Sequence, residues 1–274
     1  MWVIDRGKKL GEVEAWDRGA QFGDGLFETI LILNGEPQNF LHHLNRLEKS
    51  LTKLAFKNFP ENFGSLIIER LNELIIESKT QSGILKIMVS RGDSSRGYAV
   101  AKDLKPNITF LYSAITELPG DLYSNGIKVK VCRTQCSINE QLAGLKHLNR
   151  LENVMAKQEL VDEYEGLMQN GFGHIIEGTM SNVFFEKDNV LYTPDLQFSG
   201  VEGVLRARVL EECAKHDIDV MIENISVENI THFESAFICN SVIGIVPISD
   251  LDNNKKKISP LTRQLQTLLN KRGI

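Results

Sequence analysis

The feature that most constrains the fold of this chain is the alternation of strand-like apolar runs with amphipathic helices. A run rich in apolar and β-branched residues at positions 26–33 ends in Asn34-Gly35, a dipeptide typical of a type I′ hairpin turn. A helix follows, because leucines recur at three- and four-residue steps. These leucines are Leu41, Leu44, Leu47, Leu51 and Leu54. Alternating strands and helices predict a mixed α/β (α+β) fold.

The rest of the chain continues this alternation and indicates two domains. We predict helices over 61–78, 148–163, 203–216 and 260–271, and strands at 84–90, 108–114 and 127–132, with further short strands between 171 and 193. The segment 116–121, which contains Pro119-Gly120, lies between two strand-like runs and is the best linker. The sequence therefore predicts a smaller N-terminal α/β domain at 1–115, a linker at 116–121 and a larger C-terminal α/β domain at 122–274.

Composition narrows the classes of partner. The 274 residues carry a net charge of −5, which argues against nucleic acid because phosphate binding usually requires a basic excess. No apolar run approaches the roughly 18 residues of a membrane-spanning helix. The four cysteines, Cys132, Cys136, Cys213 and Cys239, form no CxxC pair and no His/Cys ligand spacing. We therefore expect reduced thiols in a cytoplasmic protein, with no metal and no membrane segment.

Several residues in the N-terminal half have both a functional and an ordinary interpretation. Arg46 lies outside the leucine stripe of its helix, so it is either an exposed arginine or an anion clamp. Arg91 and Arg96 lie on a Gly/Ser-rich loop after an apolar strand, which is either solvated or suited to a ligand with carboxylates. Asp24 between two glycines indicates a tight turn. His42-His43 at a helix start indicates a cap or surface pair rather than a metal site.

The C-terminal half offers a second set of candidates. Lys146 follows an apolar segment, and a desolvated lysine becomes an amine nucleophile for Schiff-base chemistry, although no local rule distinguishes it from other lysines. Glu177 follows two isoleucines and could cap a turn or face a cationic ring nitrogen. The segment 203–206 opens a helix, whose free N–H groups attract phosphate. Asn240-Ser241 follows an apolar strand and could add two further donors.

Taken together, these segments resemble the class IV aminotransferases, the fold-type-IV enzymes that use pyridoxal phosphate. The matching motifs, in the order of that family, are Asp17-Arg18-Gly19 with the run from Phe22 to Thr29, His43-Leu44-Asn45-Arg46-Leu47, Lys146, and Glu177-Gly178-Thr179 with Ser181-Asn182. Two further stretches resemble the aminodeoxychorismate lyases within that family. They are Ser90-Arg91-Gly92 with Arg96-Gly97-Tyr98, and the run from Leu142 to Glu152 around Lys146.

The resemblance implies an architecture and a set of roles. It implies two α/β domains with the cofactor site between them, a homodimer and a small-molecule substrate. Lys146 would bond covalently to pyridoxal 5′-phosphate and shuttle protons, and Glu177 would face the pyridine nitrogen. The phosphate would be bound by Arg46, by backbone N–H groups around Val204 and Leu205, and by Asn240 and Ser241. Arg91 and Arg96 would bind substrate carboxylates.

The resemblance also implies a reaction, the elimination of pyruvate from 4-amino-4-deoxychorismate to give 4-aminobenzoate, a folate precursor. Fold alone does not fix a reaction, so two alternatives stay open. The first is a D-amino-acid or branched-chain aminotransferase on the same scaffold, which would share Lys146, Glu177 and Arg46. The second, more remote, is a non-catalytic binding protein. The loop from Arg91 to Tyr98 favours the lyase over the aminotransferase.

Overall fold

The computed structural model describes residues 3–5, 15–115, 118–119 and 121–270. The chain divides into two compact units. Unit 1 contains Met1–Glu117 together with Lys146–Asn149, and unit 2 contains Leu118–Leu145 and Arg150–Ile274. The short segment 146–149 was not assigned to the first unit from the sequence, since it lies far along the chain. Residues 116, 117 and 120 of the predicted linker lie outside the described residues.

The described residues of unit 1 form a five-stranded sheet and three helices. Its elements are β1 (Val3–Asp5), α1 (Arg18–Phe22), β2 (Gly25–Leu33), β3 (Glu36–Pro37), α2 (Phe40–Lys53), α3 (Phe63–Ser78), β4 (Gly83–Ser90) and β5 (Asn107–Ala114). The strands follow the order β1-β5-β4-β2-β3, and every pair is antiparallel. The two predicted helices and three predicted strands of this region are confirmed within two residues.

Alternation along the strands decides which face of this sheet is buried. Leu85, Ile87 and Val89 on β4 are fully buried, while the residues between them are only partly covered. Helix α2 packs on β2 and α3 packs on β5, so the buried face is the helix face. The predicted hairpin turn is confirmed, because Asn34 and Gly35 both adopt positive φ, at 51° and 83°.

In the part of unit 2 that the structure describes there are four helices, a short 3₁₀ helix and ten strands. The elements up to α6 are α4 (Leu122–Asn125), β6 (Ile127–Cys136), α5 (Leu151–Gln158), β7 (Glu165–Asn170), β8 (His174–Gly178), β9 (Asn182–Lys187), β10 (Val190–Pro194) and α6 (Val204–Lys215). Then come β11 (Val220–Glu223), β12 (Ile225–Ser226), the 3₁₀ helix (Val227–His232), β13 (Ser235–Asn240), β14 (Gly244–Leu251), β15 (Asn254–Lys255) and α7 (Pro260–Leu269).

The strands of unit 2 form one mixed sheet whose two ends are consecutive in the chain. The order is β11-β10-β9-β13-β14-β6-β7-β8-β12, with β15 on β14. Since only Asn224 separates β11 from β12, the sheet curls round until its first and last strands adjoin. The central strands are buried on both faces. Phe185 belongs to the inner apolar cluster, and its neighbour Phe184 packs with residues of α6 and α7 on the other face.

One predicted helix is wrong at both ends. The periodicity predicts a helix over 148–163, but α5 covers only Leu151–Gln158. His147 instead bridges Leu26 of β2, and the Leu148 N–H donates to the Gly25 carbonyl, so the chain is still extended there. At the other end the Glu159 carboxylate accepts hydrogen bonds from the N–H groups of Arg133 and Thr134 on β6. Backbone pairing with β2 has therefore replaced helix at the first end, and side-chain contacts of Glu159 with β6 accompany the early stop at the other.

Two further expectations concern membranes and thiols. No helix among the described residues has the length and apolar character needed to cross a bilayer. All four cysteines are buried free thiols, as expected. Burial raises the pKa of the Cys132 and Cys213 thiols to about 11, so they stay protonated at neutral pH. The cytoplasmic location stays a prediction.

Candidate active site

Lys146 is held against the first residues of β2 in unit 1. The Phe27 N–H donates to the Lys146 carbonyl at 2.9 Å, so backbone pairing fixes the position of this residue. Its ammonium nitrogen lies 4.3 Å from the centroid of the Phe27 ring, a cation–π distance. The side chain is half-buried. Lys146 thus has a defined backbone and an amine beside an apolar surface, the setting expected for an amine nucleophile.

A second lysine, Lys86 on β4, contacts the same ring and was not singled out in the sequence. Its ammonium nitrogen lies 5.0 Å from the Phe27 centroid. Burial lowers the pKa of Lys86. Among the described residues it has no hydrogen-bond acceptor and no ion-pair partner. The sequence signal that could have identified Lys86 is a lysine within an otherwise apolar strand. We call Lys146, Lys86 and Phe27 the Lys146 group.

Arg46 is paired with a buried carboxylate on the helix face of the sheet. Its Nε donates to Glu28 Oε1 at 2.8 Å and its Nη2 donates to Glu28 Oε2 at 2.5 Å. His43, one turn earlier on α2, binds the same carboxylate through Nδ1 at 2.6 Å. His43 is 1% exposed, so the expectation of a surface or capping histidine is wrong. Glu28, His43 and Arg46 form what we call the Glu28 cluster.

The charges of the Glu28 cluster follow from burial and pairing. Burial by itself raises the pKa of Glu28, but the Arg46 charge and hydrogen bonds from His43 and Arg46 lower it to about 2. Burial lowers the pKa of His43, and the charges of Arg46 and Lys146 act in the same direction. A neutral His43 that donates from Nδ1 has an acceptor at Nε2, which is buried without a partner. The cluster therefore holds an ionised Glu28 at neutral pH.

The two arginines of the Gly/Ser-rich loop have different surroundings. Arg91 donates from Nε to both carboxylate oxygens of Asp24, at 2.9 and 3.0 Å. Its Nη1 and Nη2 donate to the carbonyls of Ala55 and Leu54 just after α2, at 3.3 and 2.9 Å. All three nitrogens are thus engaged within unit 1, and the role of Arg91 as a carboxylate ligand stays a prediction. Arg96 is exposed and has no recorded partner among the described residues.

Glu177 lies on β8 in unit 2 and is bonded to the segment before α6. It is 5% exposed, and its Oε2 accepts a hydrogen bond from the Val201 N–H at 2.8 Å. The Val201 carbonyl in turn accepts from Asn182 Nδ2 at 2.9 Å. Both sides of the Val201 backbone are thereby fixed by side chains of the predicted motif 177–182. This chain of contacts connects Glu177 to the start of α6.

The first turn of α6 has an uncapped N-terminus. Gly203, its N-cap, provides no side-chain cap, and the first turn contains no acidic residue. The N–H groups of Val204 and Leu205 precede the intrahelical ladder and have no recorded acceptor among the described residues. A Cβ at Gly203 would lie 1.8 Å from Asn182 Oδ1, so only glycine fits. We call Asn182, Gly203 and these two N–H groups the α6 cradle.

Asn240 and Ser241 lie beside the start of β9, because Cys239 is paired with Asn182. The Asn240 side chain is occupied in shaping its own turn. Its Oδ1 accepts from the N–H groups of Val242 and Ile243, both at 2.9 Å, and its Nδ2 donates to the Met180 carbonyl at 3.1 Å. The Ser241 hydroxyl has no recorded partner among the described residues. Ser241 is therefore the better anion donor of the two.

A buried carboxylate that the sequence did not indicate supports the turn after Glu177. Glu165 on β7 is 0% exposed. It accepts hydrogen bonds from Thr179 N at 3.1 Å, from the Thr179 hydroxyl, and from the Ser181 hydroxyl at 2.9 Å. Such a carboxylate is fully satisfied and rigid. Its signal is absent from the sequence because Glu165 is twelve residues away from Glu177.

The predicted residues thus fall into two sets, each brought together within its own unit. Unit 1 contains the Lys146 group and the Glu28 cluster. Unit 2 contains Glu177, the α6 cradle and Ser241. The first set offers amines and a guanidinium, and the second offers a buried carboxylate and backbone N–H donors. An aldehyde cofactor with a phosphate and a ring nitrogen would need these chemical groups. No group of residues among those described could hold a metal ion.

Comparison with known proteins identifies the family. Residues 25–251 match the model described as amino-transferase class IV. The chain is 32% identical to an aminodeoxychorismate lyase of Vibrio harveyi, over 98% of this chain and 99% of that protein. It is 28% identical to a D-alanine aminotransferase of Bacillus licheniformis, over 97% and 93%. The solved 4-amino-4-deoxychorismate lyase of Pseudomonas aeruginosa superposes with a TM-score of 0.90 at 34% identity, over 98% and 97%. The fold-type-IV prediction is confirmed, and the chain belongs to the class IV aminotransferase family.

Proposed function

We propose that this protein is a pyridoxal-phosphate-dependent lyase that converts 4-amino-4-deoxychorismate into 4-aminobenzoate and pyruvate. The observation that carries the proposal is the similarity to two lyases of that name, at 32% and 34% identity over nearly the whole chain. The reaction balances without water or an oxidant. The C4 proton is removed, the C3–O bond breaks, and the proton ends on the carbon of the departing enolpyruvate, while the ring becomes aromatic.

The residues present fit pyridoxal 5′-phosphate by their donor chemistry. We propose that the phosphate binds at the α6 cradle and Ser241, where backbone N–H groups at the helix N-terminus have no side-chain cap. Arg46 would add positive charge, because a guanidinium binds phosphate through paired N–H groups. Asn240 would act by shaping the turn before Ser241 rather than as a direct donor.

The protein's own side chains would then position the reacting groups. When bound, pyridoxal phosphate supplies an aldehyde that captures amines and a ring that accepts an electron pair. Lys146 Nζ would bond to the aldehyde at rest and, once displaced, remove the C4 proton of the substrate. Glu177, fixed by the Val201 N–H, would keep the ring nitrogen protonated through charge pairing. Phe27 would limit the positions that the Lys146 amine can take.

The predicted pair Arg91 and Arg96 stays our proposal for the substrate's two carboxylates, and Lys86 is a further candidate. Among the described residues, Arg96 is exposed with no hydrogen bond or ion pair, and the half-buried Lys86 contacts only the Phe27 ring. A carboxylate would restore charge balance at Lys86, whose pKa is lowered by burial. The register places Lys86 opposite Thr29 on the face of the sheet that also carries Phe27.

The test is a product assay on pure protein loaded with pyridoxal phosphate. We expect equimolar 4-aminobenzoate and pyruvate from 4-amino-4-deoxychorismate, and at least about a 10³-fold loss in Lys146→Ala. Lys187→Ala, on a surface strand end, is the matched control and should retain full activity. A loaded wild-type protein that releases neither product would contradict the proposal.

One alternative reaction has specific support in the 28% identity to a D-alanine aminotransferase. It would use the same Lys146 and Glu177 but transfer the amino group to a keto acid. Incubation with D-alanine and 2-oxoglutarate separates the two. Transfer without release of 4-aminobenzoate would show an aminotransferase, whereas release of both elimination products would show the lyase.

We also propose that the protein is a homodimer. Helix α5 presents Leu151, Val154 and Met155 at three- and four-residue steps, and these side chains are 70%, 51% and 51% exposed. An apolar face of this kind on a short helix indicates a contact with a second copy. Light scattering on the purified protein should give twice the chain mass of 30.9 kDa. A monomeric mass at micromolar concentration would contradict this proposal.

A further inference from the structure

Unit 1 contains a buried arginine that the proposed reaction does not use. Its partners lie on residues 94–99, the loop that carries Arg96. We propose that Arg18 is a positioning residue that fixes this loop, and through it the Arg96 guanidinium, for binding of a substrate carboxylate. The inference rests on the proposed lyase function, because it concerns how the substrate of that reaction is recognised.

The Arg18 side chain donates to three backbone carbonyls and one hydroxyl of the loop. It belongs to α1 and is 3% exposed. Nη1 donates to the Ser94 hydroxyl at 3.0 Å and to the carbonyls of Gly97 and Ala99 at 3.1 and 3.3 Å. Nη2 donates to the Tyr98 carbonyl at 3.0 Å. Three consecutive carbonyls on one cation leave the loop few alternative conformations.

Arg18 is itself fixed from the other side by a carboxylate. Its Nε donates to Asp24 Oδ2 at 2.8 Å, which balances the buried charge. Asp24 also accepts from Arg91, and Arg91 is anchored on the carbonyls that follow α2. The Arg18–Asp24–Arg91 network therefore ties the loop to the start of β2 and to the end of α2. An arginine that donates to five acceptor atoms, as Arg18 does, is engaged in holding the loop rather than available to a ligand.

Arg96 is the contrasting residue on the same loop. It is exposed, and among the described residues its guanidinium has no recorded hydrogen bond or ion pair. The next residue, Gly97, is bonded to Arg18 through its carbonyl. The Arg96 backbone is thus restrained while its side chain stays available. This division of tasks is what a preorganised carboxylate site requires, since ordering the loop beforehand lowers the entropic cost of binding.

The substitution Arg18→Lys tests whether the loop requires the positive charge of Arg18 or the geometry of its guanidinium. Arg18→Lys keeps the positive charge near Asp24 but has one nitrogen, which cannot reach Asp24 and the loop carbonyls together. We expect KM to rise about tenfold with kcat changed less than about threefold, because the loop acts on substrate binding. Ser94→Ala removes one loop acceptor without touching Arg18. It should shift KM in the same direction by about twofold.

The experiment is a double-mutant cycle with Arg96→Ala. If Arg18 acts through Arg96, Arg18→Lys should raise KM about tenfold in the wild-type background and less than about twofold in the Arg96→Ala background. The matched control is Arg263→Lys. Arg263 also donates to backbone carbonyls, those of Tyr123 and Ser124, but lies in unit 2 outside the proposed machinery. The KM of the Arg263→Lys variant should be unchanged. An Arg18→Lys effect of equal size in both backgrounds would overturn the proposal.

A second readout does not depend on activity. Trypsin cleaves after exposed arginines, so the rate of cleavage after Arg96 reports how firmly the loop is held. Arg18→Lys should raise this rate about tenfold over wild type, and Arg263→Lys should leave it unchanged. Equal rates in Arg18→Lys and wild type would also overturn the proposal. A wild-type protein inactive on the substrate would remove the lyase proposal and the carboxylate role, while cleavage would still decide whether Arg18 holds the loop.

Discussion

The Glu28 cluster of unit 1 and the α6 cradle of unit 2 each contain candidate anion-binding groups, yet they are built in opposite ways. The cluster uses ionised side chains, with a buried Glu28 that binds Arg46 and His43. The cradle uses backbone N–H groups and a neutral amide, with a glycine where no side chain fits. We therefore expect the Glu28 cluster to be sensitive to changes of charge and pH, whereas the α6 cradle should be sensitive to changes in side-chain size.

The largest effect is expected from removing the charge of the cluster. Glu28→Gln leaves the Arg46 guanidinium half-buried without its counter-charge, so the free energy of unfolding should fall by about 3–5 kcal/mol. Urea denaturation at neutral pH measures this free energy of unfolding. The control is Glu73→Gln, which breaks an exposed ion pair with Arg70 and should cost less than about 1 kcal/mol. Equal losses in both variants would contradict the assigned role of Glu28.

The Glu28 cluster should also make the stability of the protein decrease at acid pH. The pKa of Glu28 is lowered from 4.5 to about 2, so its contribution is complete above pH 4.5 and is lost as pH falls through about 2. The shift corresponds to about 3 kcal/mol. Stability measured between pH 5 and pH 2 should therefore fall more steeply in wild type than in Glu28→Gln. Parallel curves for the two proteins would argue against an ionised, buried Glu28.

The next effect tests the shape of the cradle. In Gly203→Ala the new Cβ would meet Asn182 Oδ1, so the turn must move, with a cost of about 1–3 kcal/mol in stability. We also expect the affinity for pyridoxal phosphate to fall about tenfold, measured by fluorescence titration of the apoprotein. Gly171→Ala is the control, because its Cβ would meet only ordinary contacts at 3.5 Å or more. Unchanged cofactor affinity in Gly203→Ala would remove the cradle from the site.

A smaller effect is expected from a charge placed in the cradle. Asn182→Asp keeps the shape of the side chain but replaces the donor to the Val201 carbonyl with a charged acceptor. Repulsion of the phosphate and loss of this hydrogen bond should weaken cofactor binding by about 1–2 kcal/mol. Asn58→Asp, which loses a similar bond to the Leu104 carbonyl, should leave it unchanged. Tighter binding in Asn182→Asp would show that the phosphate lies elsewhere.

The smallest effect concerns His43. Because its pKa is lowered in the folded protein, stability should be complete above pH 6.5 and decrease as pH falls below it. The slope contributed by one proton is at most about 1.4 kcal/mol per pH unit. His43→Gln should flatten this slope between pH 6.5 and 5, whereas the exposed His232→Gln should not. A slope unchanged in His43→Gln would mean that His43 is protonated in the native state.

Sequence periodicity was sufficient where a segment packs by its own apolar face. The helices α2 and α6 and the strands β2 and β4 follow from leucine spacing and from strand alternation. It failed around Lys146, where residues 147 and 148 pair with β2 more than a hundred residues earlier. Local helix propensity contains no information about a pairing partner so distant in sequence, so helix α5 was predicted too long.

The sequence alone determined the family and the fold class, because the family's motifs occur in a fixed order along the chain, and the same motifs predict Lys146, Glu177 and Arg46 as site residues. Only the tertiary structure decided how charge is distributed among neighbours. It paired Arg91 with Asp24 and the end of α2, placed Lys86 against the Phe27 ring, and buried Glu28 with His43. The physical reason is that a side chain's charge and reach depend on groups distant in sequence, and these are fixed only when strands and helices pack.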